Sequence, residues 1–354
     1  MTAVRPRRVA VSPGRYRQIT GFALVALVVI VVSGAAVRLT GSGLGCPSWP
    51  HCEPGRLTPH DATDHHAMIE YVNRLFTGVV SVAVALAVLG SRFRTPRRRD
   101  LTAWSWSLVA GVVAQILLGA LTVRYELAPP FVMGHFLVSA VLVLCATVLH
   151  HRAGLPDDGP MRRDATEQVS LLSRVIVGAA GVVLVTGTAV TGAGPHSGDE
   201  DVARLEIAVP DAARFHAIVV WVLVAATVWA LVLVRRGGAG RGVEVALWSL
   251  VVVETAQGAV GYTQYFSGVP AGLVAVHVLG STLVWIAAIR VLLATRVPAD
   301  GSPEPGSPGP GSGDTTAGGD DDADTDTDTG SSPDPVLPTS GLPASGLPSS
   351  GLPS

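Results

Sequence analysis

The chain has 354 residues, 48% apolar and 15% charged, with a net charge of −2 that says little about partners. Residues 19–292 are strongly apolar, with charge confined to short clusters, whereas 297–354 are almost entirely Pro, Gly, Ser, Thr and Asp. That division excludes an ordinary soluble domain, and no nucleic-acid partner is expected.

In chain order the apolar runs fall at about 19–37, 68–90, 102–121, 132–149, 172–191, 214–234, 243–262 and 270–293. About 20 apolar residues are what a helix needs to cross hydrocarbon. Backbone polar groups have no water there, so only helices or closed barrels span it. These runs are too long and too uniformly apolar for barrel strands. The expected fold is an all-α integral membrane protein with eight transmembrane helices. The first run follows Arg5, Arg7, Arg8, Arg15 and Arg17 like a signal peptide, but it is longer than a signal core and seven runs follow it.

Arginine placement predicts the orientation. Clusters stand at the N-terminus, after the second run (Arg92, Arg94, Arg97, Arg98, Arg99), after the fourth (Arg152, Arg162, Arg163) and after the sixth (Arg235, Arg236, Arg241). The alternate links are poorer in Arg. Both termini are therefore expected in the cytoplasm, in a multi-pass protein of the cell membrane.

The two halves repeat. Gln115 and His135 lie 20 residues apart, as do Gln257 and His277, and Gly119 matches Gly261 at the same offset of 142. Asn73 matches His216 at 143, and Ser33-Gly34-Ala35-Ala36-Val37 resembles Thr186-Gly187-Thr188-Ala189-Val190 at 153. Two repeated four-helix bundles related by an axis along the membrane normal follow. The expected domains are a cytoplasmic N-terminus (1–18), a first bundle (19–149), a cytoplasmic linker (150–171), a second bundle (172–293) and a disordered cytoplasmic tail (294–354) with Asp-Thr and Ser-Gly-Leu-Pro repeats.

Asn73, His135, His216 and His277 each lie one to two turns inside the outer end of an even-numbered helix, roughly 5–10 Å below the interface. Ionisable groups in a bilayer are costly and usually functional. Two His on facing helices of a bundle can clamp a haem, so His216 and His277 are read as axial ligands. The bland alternative is packed core histidines. In the first half Asn73 leaves His135 as the obvious iron ligand, with His65 and His66 at the mouth of the same helix as Asn73. Glu70 stands three residues before Asn73, one turn outward on the same face, and Arg74 directly follows Asn73; the two read either as an interfacial ion pair or as a carboxylate aimed at a ligand. Glu254 lies deeper, where the first half has Val112, and its role stays open. Cys46 and Cys52 fall in an outer loop, where oxidising surroundings favour a disulfide; metal binding with His51 is the alternative. Cys145 reads as packing.

Val37-Arg38-Leu39-Thr40-Gly41-Ser42-Gly43-Leu44, then Cys46-Pro47-Ser48-Trp49-Pro50, the Glu70 to Arg74 segment and the three His together resemble the haem A synthases of bacteria and mitochondria, over about 18–293. The resemblance implies a haem b between His216 and His277. It also implies a first bundle that takes haem O as substrate and oxidises a ring methyl to formyl, with Glu70 as catalytic carboxylate, His135 on the substrate iron and a Cys46–Cys52 pair. Arg38 and Arg74 are candidate propionate partners. A haem O synthase, oxidase assembly factors and an electron partner of unknown identity are the expected associates. Many family members have His where this chain has Asn73, which puts bis-His binding of the substrate haem in doubt. The competing readings are a non-catalytic membrane cytochrome b, which needs His216 and His277 alone, and a transporter, which would place its polar residues near mid-membrane.

Overall fold

The computed structural model describes residues 10–46, 48–61, 63–196, 198 and 202–299. Arg5, Arg7 and Arg8, and the tail from 300, lie outside the described residues. Eight helices are long and apolar enough to cross a membrane: α1 Pro13–Leu39, α2 His65–Phe93, α3 Arg99–Arg124, α4 Pro129–Ala153, α5 Glu167–Ala193, α6 Val209–Leu233, α7 Arg241–Phe266 and α8 Ala271–Ala294. The protein is an all-α, eight-span membrane protein. Even α8, with 24 residues, is about 36 Å long at 1.5 Å per residue, more than a hydrocarbon core of about 30 Å.

Local chemistry sets the helix ends. Ser12, Asp64 and Thr166 accept from backbone N–H groups as N-caps of α1, α2 and α5. Proline occupies the first turn of α1, α4 and α6, where its missing N–H costs nothing. The α3–α4 and α7–α8 connections are the same turn made twice. Leu127 N donates to Thr122 O and Val269 N to Gln264 O, both at 2.9 Å, again an offset of 142. Leu127 and Val269 have φ of 59° and 60°. A left-handed conformation is costly for a β-branched residue such as Val269, so its retention in both halves shows how strictly the repeat fixes this turn.

Helices α1 to α4 pack in a ring, as do α5 to α8, and α1, α4, α5 and α8 form the seam between the two rings. The core lies along that seam: Leu27, Leu142, Leu149, Ile176 and Ala288 are all nearly inaccessible. Helices α4, α5 and α8 are more deeply buried than α2, α3, α6 and α7. The Trp285 indole crosses the seam and donates to Ala140 O at 2.9 Å.

At the end opposite the Cys46–Cys52 loop, two short strands, β1 (Met161–Arg163) and β2 (Arg296–Pro298), pair antiparallel with Arg162 opposite Val297. The sequence reading counts β1 with a plain linker and β2 with the tail. Two three-residue stretches, far apart in the chain, carry no readable strand period, and their pairing follows from α4, α5 and α8 ending side by side.

Candidate functional site

The second bundle holds its two histidines by different devices. Thr186 Oγ1 lies 3.0 Å from Val183 O and 2.9 Å from His216 Nδ1. The hydroxyl has one proton and gives it to the carbonyl, so it accepts from His216, which puts the imidazole proton on Nδ1 and leaves the Nε2 lone pair free. Beside it, a Cβ added at Gly187 would stand 3.3 Å from His216 Cε1; glycine lets the ring lie against α5. His277 is held from α7, where Gln257 Nε2 donates to His277 O at 2.8 Å. A Cβ at Gly261 would stand 3.0 Å from His277 Cε1. His277 Nδ1 is buried with no hydrogen-bond partner, so Nε2 is the nitrogen left to reach a ligand.

The first bundle repeats this scaffold with one change. Gln115 Nε2 donates to His135 O at 3.0 Å and also reaches Ser139 Oγ. Gly119 faces His135 Cε1, and His135 Nδ1 is likewise buried without a partner. Where the second bundle has Thr186 and His216, the first has Ser33 and Asn73, with Ser33 Oγ donating to Asn73 Oδ1 at 2.8 Å. Ser33, Ala36, His65, Met68, Ile69, Val72 and Asn73 line a cavity of about 430 Å³. His65 is on its wall. His66 is turned away, with Nδ1 3.1 Å from Ser42 Oγ.

Glu70 is 5% exposed, and both carboxylate oxygens are engaged. Oε2 accepts from Cys46 N at 2.7 Å, while Oε1 accepts from Arg74 Nε at 3.1 Å and Nη2 at 2.5 Å. Arg74 also donates to Ser48 O, His51 O and Cys46 O at 2.9–3.1 Å. The pair thus grips the loop closed by the disulfide Cys46–Cys52, whose Cα atoms are 4.3 Å apart. Arg74, a candidate propionate partner from sequence, has its donors turned to that loop. Arg38 is partly buried, and its guanidinium has no hydrogen-bond or ion-pair partner among the described residues. No group of three or more His, Cys, Asp or Glu that could hold a metal ion occurs among the described residues, which gives His51 no support as a metal ligand beside the cysteines.

Sequence reasoning missed three partners. Thr186 and Gly187 were visible only as a repeated motif, not as the support of His216. Thr227, which donates to Glu254 Oε1 at 3.0 Å, has Val84 as its first-half counterpart, so the Glu254–Thr227 pair replaces Val112 and Val84. The grip of Glu70 and Arg74 on the loop has no local signal.

The donor set fits a haem. Imidazoles set against glycines, with His216 held at Nδ1 so that Nε2 faces away, and an arginine without a partner among the described residues at the same end are what axial ligation and a propionate require. Fold and site together define a duplicated, eight-span membrane protein that presents imidazoles at one end of each bundle. Residues 17–196 match the COX15-CtaA family, described as cytochrome oxidase assembly protein, and the chain belongs to that family. Its similar relatives include the heme A synthases of Lysinibacillus sphaericus (32% identical over 34% of this chain and 38% of the relative), Geobacillus kaustophilus (31%, over 34% and 38%) and Bacillus pumilus (35%, over 35% and 39%). The matched stretch spans about two-fifths of those curated relatives.

Proposed function

We propose that the chain is a haem A synthase that oxidises a ring methyl of haem O to formyl, serving terminal oxidase assembly. Family membership supports a role in haem A biosynthesis. The observation that carries the finer reading is the repeated His scaffold, with His216 and His277 in one bundle and, in the other, His135 with Asn73 at the matching position on the wall of a cavity. His216 and His277 would hold haem b, which would supply electron transfer to or from the chemistry. His135 would meet the iron of haem O in the first bundle, and Arg38, whose guanidinium has no partner among the described residues, is suited to a propionate.

This chain's own groups have distinct tasks. Converting the methyl to a formyl group adds one oxygen atom from water and releases four protons and four electrons (CH3 + H2O → CHO + 4 H+ + 4 e−), the electrons leaving to the external electron partner, and a carboxylate nearby favours the developing electron deficiency. Glu70 supplies that carboxylate on the same helix as Asn73. Its bonds to Arg74 and the Cys46 amide fix the carboxylate and hold the disulfide loop against α2. The farnesyl tail of haem O suits a site reached from lipid. Orientation follows the arginine clusters, with both termini cytoplasmic and the histidines near the outer face of the cell membrane. A haem O synthase is the expected supplier of substrate.

The test is pigment analysis. Membranes containing the chain and a haem O synthase should yield haem A, and a His135→Ala variant should not. Bound haem b without haem A, with haem O and an electron supply present, would overturn the reading.

A further inference from the structure

The two bundles differ at one place that bears on iron. In the second bundle His216 fills the space against Gly187, where an added Cβ would stand 3.3 Å from the ring. In the first, the matching Gly34 has nothing within 4 Å of an added Cβ. The shorter Asn73 has left the space an imidazole would take. Its amide is held at one end by Ser33 Oγ at 2.8 Å, and its other end has no partner among the described residues and lines the 430 Å³ cavity. An amide nitrogen has no lone pair for iron, and its oxygen is a weak donor beside imidazole. His65 stands eight residues before Asn73, about 12 Å further along α2, on the wall of the same cavity. His66 is committed to Ser42.

We propose that the first bundle is a ligand-binding iron site. His135 is the sole protein ligand, and the face towards Ser33 and Asn73 is an open coordination position for a small exogenous ligand, with the amide as its hydrogen-bonding partner. This rests on reading the first bundle as a haem site. The two bundles then hold chemically different irons: one closed by two imidazoles and confined to electron transfer, one open on a polar face.

The experiment uses full-length protein purified with its haem, and carbon monoxide as the probe. Ferric protein should show a low-spin signal from the second bundle, lost in His216→Ala, and a separate high-spin signal lost in His135→Ala. After reduction, carbon monoxide should shift only the second of these populations. Asn73→His, for which the space opposite Gly34 is already empty, should convert the high-spin population to low-spin and abolish the carbon monoxide shift. Wild-type iron that is wholly low-spin and inert to carbon monoxide would overturn the proposal. If His65→Ala then produced high-spin iron, His65 would be the second ligand. A high-spin signal unaffected by His135→Ala would overturn it as well. Haem A is scored separately in extracted pigment. Six-coordinate iron in a chain that makes haem A sinks this inference alone, and carbon monoxide-binding iron in a chain that makes none sinks the synthase reading alone.

Discussion

Replacing Glu70 by Ala removes the carboxylate that ties α2 to the disulfide loop. Three contacts go: one from the Cys46 amide and two from Arg74. The Glu70 side chain is 7% exposed and that of Arg74 23%, so Arg74 would keep a largely desolvated charge with only carbonyl partners. Breaking a buried pair by removing one member costs about 3–5 kcal/mol; partial exposure of Arg74 puts this case near the lower end, about 3 kcal/mol. Glu70→Gln keeps an acceptor for the Cys46 amide and should cost about 1–2 kcal/mol. The readouts are thermal unfolding in detergent and the rate at which a mild reductant opens Cys46–Cys52, followed by thiol alkylation. Glu70→Ala should unfold earliest and expose its disulfide fastest, with Glu70→Gln between it and wild type. Arg74→Ala should match Glu70→Ala in both. Wild-type melting and disulfide protection in Glu70→Ala would refute the latch. Full haem A production in Arg74→Ala with none in Glu70→Gln would show that Glu70 acts through its own chemistry and not by holding the loop.

Other substitutions test the imidazole scaffold and the seam. Gly261→Ala should lower haem retention in the second bundle, because its Cβ would stand 3.0 Å from His277 Cε1, while Gly34→Ala, facing empty space, should leave haem content unchanged. Thr186→Val strands the His216 Nδ1 proton, a loss of about 1–3 kcal/mol; the low-spin spectrum of the purified protein should broaden or weaken. Trp285→Phe keeps most of the packing but loses the bond to Ala140 O, so the melting temperature should fall by an amount equivalent to about 1 kcal/mol, with both haem populations retained.

The helices were legible because spanning hydrocarbon leaves one solution for the backbone: six of the eight runs lie inside a helix extending a few residues beyond them, and the runs at 214–234 and 270–293 overshoot α6 and α8 by one residue at one end. The repeat was legible wherever chemistry preserved residue type: Gln115 with His135 and Gln257 with His277 stand in the same relation in space as in sequence. It was illegible where only conformation was preserved, since Leu127 and Val269 share a turn but no side-chain signal. The motif around Ser33 and Thr186 was visible as a likeness, and only the structure joins Ser33 to Asn73 and Thr186 to His216, because those contacts cross helices 30 to 40 residues apart. Glu70 and Arg74 read from sequence as neighbours on a helix face. Their partners come from a loop more than 20 residues back, and nothing local predicts where such a loop folds. The ribbon of β1 and β2 fails for the same reason over a longer span.

The seam has a consequence for traffic. The packing between the rings runs mainly through α1, α4, α5 and α8, and α2, α3, α6 and α7 carry many of the bulky apolar side chains left uncovered, such as Leu75, Val82, Ile218 and Val252. A molecule dissolved in lipid would therefore meet the two bundles on separate flanks. The shared wall is packed with Trp285, Leu142 and Ile176, so anything passing between the bundles must be small enough to travel through packed side chains.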